Sequence, residues 1–147
     1  MLRSPFIALL CCSLAAGFAL ADPPTDPKAR AVYDHDREWL SHYPASFVAT
    51  NIRGRGVEYA ERRQAALDLV REQRDFGVVS ELMDALRQNS FLSGQICDIL
   101  GDWKAKRALP LLKEVAHDKK RSDEVRDKAG QAVEKISTAP EDKPPVY

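Results

Sequence analysis

Val79-Ser80-Glu81-Leu82-Met83-Asp84-Ala85-Leu86 and Leu109-Pro110-Leu111-Leu112-Lys113-Glu114-Val115-Ala116 decide the fold of this chain. At an offset of 30 residues, Val79, Leu82, Ala85 and Leu86 fall on Leu109, Leu112, Val115 and Ala116, apolar positions on one helix face. A second set follows each segment: Ile96, Cys97 and Leu100 fall on Ala132, Val133 and Ile136 at an offset of 36. At 66 residues, Tyr59, Ala66, Leu67 and Val70 superpose on Val125, Ala132, Val133 and Ile136. A recurring helix pair of this length buries its apolar stripe only by stacking on its neighbours. The expected fold is all-α, a short α-α superhelix of helical hairpins.

Working outward, the periodicity predicts helices over about 57–73, 76–88, 91–101, 106–117 and 122–137, a repeat region of 57–137. Residues 22–56 form an N-terminal unit before it. There Asp26 suits an N-cap, Pro27 the first helical position, and Val32, Asp36, Trp39, Leu40 and Tyr43 carry a helix over 27–43, which Pro44 ends. Residues 45–56 read as irregular. Phe47, Val48 and Ile52 are the expected anchors, and Arg53-Gly54-Arg55-Gly56 is too rich in glycine to continue a helix. Residues 138–147 concentrate proline and charge without apolar periodicity and read as a disordered tail.

Leu100-Gly101-Asp102 followed by Ala108-Leu109-Pro110-Leu111-Leu112, and then Val125-Arg126, Ala129, Ala132-Val133 and Ile136, resemble HEAT repeats. In that family a first helix with proline in its opening turn packs beside a second that begins with a Val-Arg pair. Two departures stand out. Three extra residues separate Asp102 from Ala108, and Arg63 occupies the place that Ala129 takes later, which points Arg63 toward the N-terminal helix. Asp68, Asp98 and Glu134 hold equivalent positions in the three second-type helices, about 100° from a buried neighbour, and are expected to form an exposed acidic column with Gln95 and Gln131 beside it. The resemblance implies that this face lines a concave groove, a surface for a basic or hydrogen-bonding partner.

The first 21 residues read differently. Arg3 precedes an uncharged apolar run from Phe6 to Leu20, and Ala19-Leu20-Ala21 offers the small residues of a cleavage site. This is the pattern of a secretory signal peptide cut after Ala21; the run is short of the roughly 20 residues that span a bilayer. A secreted or periplasmic chain with no membrane anchor after cleavage is expected. Removing 21 of the 147 residues leaves 126, enough for one domain. Two of the three cysteines leave with the leader, so Cys97 has no intramolecular partner and no disulfide framework is available.

Without Arg3, 21 basic side chains face 22 acidic ones, which argues against a nucleic-acid partner. The basic clusters Lys104, Lys106 and Arg107, and Lys119, Lys120 and Arg121, fall in turns at opposite ends of a hairpin and read as solvated loops. His35, Glu38 and His42 share a helix face, but the histidines lie roughly 10 Å apart along it, too far to share an ion, so no metal or cofactor is expected. No glycine-flanked serine, phosphate loop or Cys-x-x-Cys appears, and Cys97 points into the repeat core. The chain thus reads as a non-catalytic scaffold for a protein or peptide partner. The alternatives are a lyase-like or hydrolytic accessory enzyme on the same scaffold, which a deep pocket holding two or more ionisable groups would favour, and a structural subunit of an oligomer. The processing expectation has a direct check: the intact mass of the exported protein corresponds to a chain beginning at Asp22, and a chain retained with Met1 would refute it.

Overall fold

The structure is a computed structural model and describes residues 22–54 and 59–138; residues 1–21, 55–58 and the proline-rich segment from 139 onward lie outside it. It is all-α, with no strand among the described residues. The helices are α1 (Pro27–Ser41), α2 (Ala45–Thr50), α3 (Ala60–Gln73), α4 (Val79–Arg87), α5 (Ser93–Asp102), α6 (Leu109–His117) and α7 (Asp123–Ser137). Short 3-10 turns at Phe76–Val78 and Lys106–Ala108 lead into α4 and α6.

Local chemistry fixes these boundaries. The Asp26 carboxylate accepts from the Ala29 N–H at 2.9 Å with Pro27 in the first turn, and Ser122 Oγ accepts from the Val125 N–H at 3.3 Å, with Asp123 and Glu124 opening α7. α1 stops at Ser41, two residues short of the expected end, because Pro44 takes an extended conformation and starts a new helix. The irregular reading of residues 45–56 is corrected by that helix. Ala45 to Thr50 contain no breaker, and one turn of helix delivers Val48, Ala49 and Ile52 to the core with no exposure, leaving the glycine effect to begin at Gly54, whose φ is 139°. α3 begins at Ala60, with Tyr59 left-handed before it; Val57 lies outside the described residues.

The helices form two layers. α1, α3, α5 and α7 stand side by side, and α2, α4 and α6 cover them. α2 packs on α3, α4 on α5 and α6 on α7. One continuous core runs between the layers from Leu40 through Leu67, Leu82, Leu86, Ile96 and Leu100 to Leu112 and Ile136. The three residues inserted before Ala108 also serve this core. Trp103 turns inward to meet the Phe76 ring edge-on at 5.1 Å, Lys104 takes a left-handed turn, and Ala105 is buried.

α5 and α7 make the closest approach. Gly94 lies under the Lys128 stem and Gly101 under Ala132, so both helices run in the same direction with glycine at two contact points. A Cβ on Gly101 would sit 2.9 Å from the Ala132 Cα, closer than packed atoms tolerate. Ala132 is 2% exposed, whereas Glu134, on the opposite face, is exposed, in keeping with the expected helix phase. Cys97 on α5 is fully buried, and burial pushes its thiol up to about 12.

Two stability predictions follow from this contact. Ala132→Asp places an uncompensated carboxylate in the core, costing about 3 kcal/mol or more and lowering the melting temperature sharply, whereas Glu134→Ala leaves it nearly unchanged. Gly101→Ala gains about 1 kcal/mol in helix propensity, yet the backbone clash, about 1–3 kcal/mol, makes it destabilising. A thermal melt in which Gly101→Ala is the more stable protein would show that α5 and α7 are not in this contact.

Candidate functional site

The five residues expected to form a polar surface divide between two roles. Asp68, Asp98 and Glu134 do lie on α3, α5 and α7. Asp68, however, is only 3% exposed, which corrects its assignment to a solvent-facing column. α1 lies across that face of α3, and the Tyr33 hydroxyl donates to Asp68 at 2.6 Å while Gln64 Nε2 donates at 3.0 Å. Burial raises the Asp68 carboxyl above its ordinary range against the pull of these donors, and burial together with the Asp68 bond pushes the Tyr33 hydroxyl up to about 12. Gln64 and Gln95 exchange both amide bonds at 2.9 Å, joining α3 to α5.

Asp98 is half-buried and accepts from Lys128 Nζ at 2.8 Å; that bond raises the lysine. Lys135 makes the same kind of bridge to Asp102 at 2.7 Å. Only Gln131 and Glu134 face solvent freely, on the outer face of the last helix. Side-chain bonds thus tie α1 to α3, α3 to α5 and α5 to α7 at separations of 35, 31, 30 and 33 residues, close to the offsets of 30 and 36 in the sequence. One turn cluster is also tied in: Arg121 is nearly buried and reaches Ser93 Oγ and the Arg87 carbonyl, at 3.4 and 3.5 Å.

A different surface gathers the residue types that recognise partners. Trp39 stands in the last turn of α1 and Tyr43 just beyond its end, and the Pro44 break folds α2 back so that Phe47 joins them. The Trp39–Tyr43 centroids are 4.8 Å apart, those of Tyr43 and Phe47 4.6 Å, and those of Trp39 and Phe47 6.0 Å. The three are 37, 37 and 40% exposed, so Phe47 is not the core anchor that its sequence position indicated, although Val48 and Ile52 are. The Arg62 guanidinium binds both oxygens of the buried Asp36 at 3.1 and 3.2 Å. It lies 5.5 Å from the Trp39 ring centroid and 5.7 Å from that of Tyr59, itself 70% exposed.

Beside this cluster opens a cleft of roughly 370 Å³, lined among the described residues by Thr50, Asn51, Arg53, Tyr59, Arg62 and Arg63 together with Gly54. Arg63 forms its floor. It is buried, donates to the Ile52 carbonyl at 3.2 Å and the Gly54 carbonyl at 2.6 Å, and lies 5.0 Å from the Phe91 ring. It thus holds the end of α2, not α1 as the repeat comparison pointed. Arg53 pairs with Asp84 at 3.2 Å, an acid it shares with Arg87. Pattern reading passed over this site because Trp39 and Tyr43 fit a helical core stripe. The available signal was Pro44 between Tyr43 and Phe47, with Arg62 and Arg63 at the start of α3.

His35 and His42 are exposed, and no group of three or more His, Cys, Asp or Glu is arranged to hold a metal ion among the described residues. Comparison of the chain with protein-family models, curated proteins and solved structures found no match.

The Asp68 network carries a pH prediction. Its folded-state value lies above the unfolded one, so ionised Asp68 disfavours the folded state: this contribution is best at low pH and is lost as pH rises through the raised value. Asp68→Asn removes that titration. The melting temperature of the variant minus that of the wild type therefore becomes more positive from about pH 4 to about pH 7. A difference that falls over this range would show that the acid is stabilised as a carboxylate.

Proposed function

We propose that this chain is an exported, non-catalytic helical scaffold of HEAT-like hairpins that binds a protein or peptide through the surface of Trp39, Tyr43, Phe47, Tyr59 and Arg62. The observation that carries the reading is the mutual packing of three aromatic rings that remain more than a third exposed beside an arginine. Exposed aromatic residues with adjacent arginine are the residue types that dominate binding energy at protein interfaces, because they bury much area for little conformational entropy. Export rests on the leader pattern of residues 1–21, and the HEAT-like assignment rests on the offsets of 30 and 36 residues.

The scaffold reading is supported over the enzyme by the shape of the cleft, which is open to solvent and not the deep enclosure that the enzyme alternative calls for, and by its chemistry. Its described lining offers guanidinium, phenol, amide and hydroxyl groups but no histidine, carboxylate or thiol to move a proton or attack a substrate near neutral pH. Cys97 is buried with its thiol held protonated.

A photo-crosslinking benzoyl-phenylalanine at position 47, and separately at position 131 on the far end, distinguishes this surface from the rest. In the extracytoplasmic fraction, the Phe47 position forms a discrete adduct and the Gln131 position does not. Trp39→Ala in the same chain reduces the adduct about tenfold or more, the loss typical of an interface anchor, with little change in the melt. Equal labelling at both positions would overturn the assignment of the surface.

A further inference from the structure

We propose that the edge of the stack carrying Arg74, Lys104, Lys106 and Arg107 docks on an anionic lipid surface. This edge is separate from the Trp39 surface, and the inference goes beyond the scaffold reading. α3 and α5 end side by side here: the turn after α3 brings the Phe76 ring against Trp103, in the turn after α5, at 5.1 Å. That contact joins two cation-bearing turns, distant in sequence, into one surface. Arg74, Lys104 and Arg107 are exposed and Lys106 is half-buried, and among the described residues none of the four side chains has a hydrogen-bond or ion-pair partner. On the two turns Asp75 is the one acid, and it accepts from the Gly77 N–H at 2.9 Å; Asp102, at the end of α5, is bridged by Lys135 at 2.7 Å.

The backbone adds an independent observation. Arg74 (φ 50°) and Lys104 (φ 53°), one repeat apart, both take the left-handed conformation just past a helix end, where glycine is unstrained and a longer residue is not. Each turn therefore accepts strain to hold a cation at the same place on the edge. A small anion needs donors that converge on it, whereas these stand on two turns beyond the helix ends. A protein partner needs an aromatic anchor at the centre of its footprint, and the Phe76 ring already lies against Trp103. An anionic membrane needs neither, because its surface potential acts on each lysine and arginine separately, and clusters of about four to eight such residues bind it.

The test is sedimentation of the chain from Asp22 through Tyr147 with lipid vesicles. At about 20 mM salt the chain binds phosphatidylcholine vesicles containing about one-third phosphatidylglycerol but not pure phosphatidylcholine, and the binding falls about tenfold or more at about 500 mM salt. Arg74→Gly combined with Lys104→Gly weakens binding about twentyfold, yet this variant melts at or above the wild-type temperature because the strained positions are relieved. A purely structural role for the two cations predicts neither change in binding nor this gain in the melt. Lys119→Gln with Lys120→Gln, in the turn at the other end of α6, and Trp39→Ala both leave lipid binding unchanged. Equal binding to the two vesicle types, or full binding by the double glycine variant, overturns the proposal. So does loss of binding in Trp39→Ala, which places the lipid contact on the aromatic rings. Binding that appears only after truncation at Thr138 identifies the chain's own residues 139–147 as the occupant, and equally tight binding of polyglutamate or duplex DNA identifies a soluble polyanion; either result also overturns it.

Discussion

The helices at the centre of the described structure are too short to persist on their own, and that constraint shapes the rest of it. α4 and α6 have nine residues and α5 has ten, below the length at which an isolated helix holds in water. Each is stabilised by what lies beside it. The apolar stripes supply most of the burial, and side chains fix which helix lies next to which. Tyr33 on Asp68, Gln64 on Gln95, Lys128 on Asp98 and Lys135 on Asp102 each join one helix of the inner layer to the next. Partly buried polar pairs of this kind add modest net energy but strongly disfavour misregistered packing, which would strand a buried group without its partner.

The hairpins were legible in the sequence for a physical reason: burial imposes the same phase on every copy. Leu82 and Leu112, or Ile96 and Ala132, occupy the same environment one period apart and are all fully or almost fully buried. What escaped the pattern was whatever depended on neighbours outside the repeat. Asp68 matches Asp98 and Glu134 in phase, but α1 exists only once and happens to cover Asp68. Phe47 and Trp39 have the composition of core residues, and only the sharp bend at Pro44 shows that they meet each other outside it. Arg63 differs from Ala129 because its copy must hold the end of α2, a task the last repeat does not have. The candidate site is built from these non-repeating residues, so the periodicity that revealed the fold could not reveal the site.

The two ends of the layered stack are chemically unlike. The terminal face of α7 is polar and acidic through Glu124, Asp127, Gln131 and Glu134, which suits a last helix that must face water. The first helices carry aromatic rings and arginines. Among the described residues, that face of α7 carries no apolar stripe for a further helix to bury.

Cys97, the free cysteine among the described residues and fully enclosed on α5, gives the fold an internal chronometer of local opening. Its sulfur meets no reagent while the helices are together, so a thiol probe can modify it only during excursions that part them. At saturating probe the modification rate reports how often that half of the molecule opens; at low probe it reports the free energy of opening. In a chain that begins at Asp22, this one sulfur separates the breathing of the helices around α5 from that of the end bearing the aromatic rings, with no substitution in either.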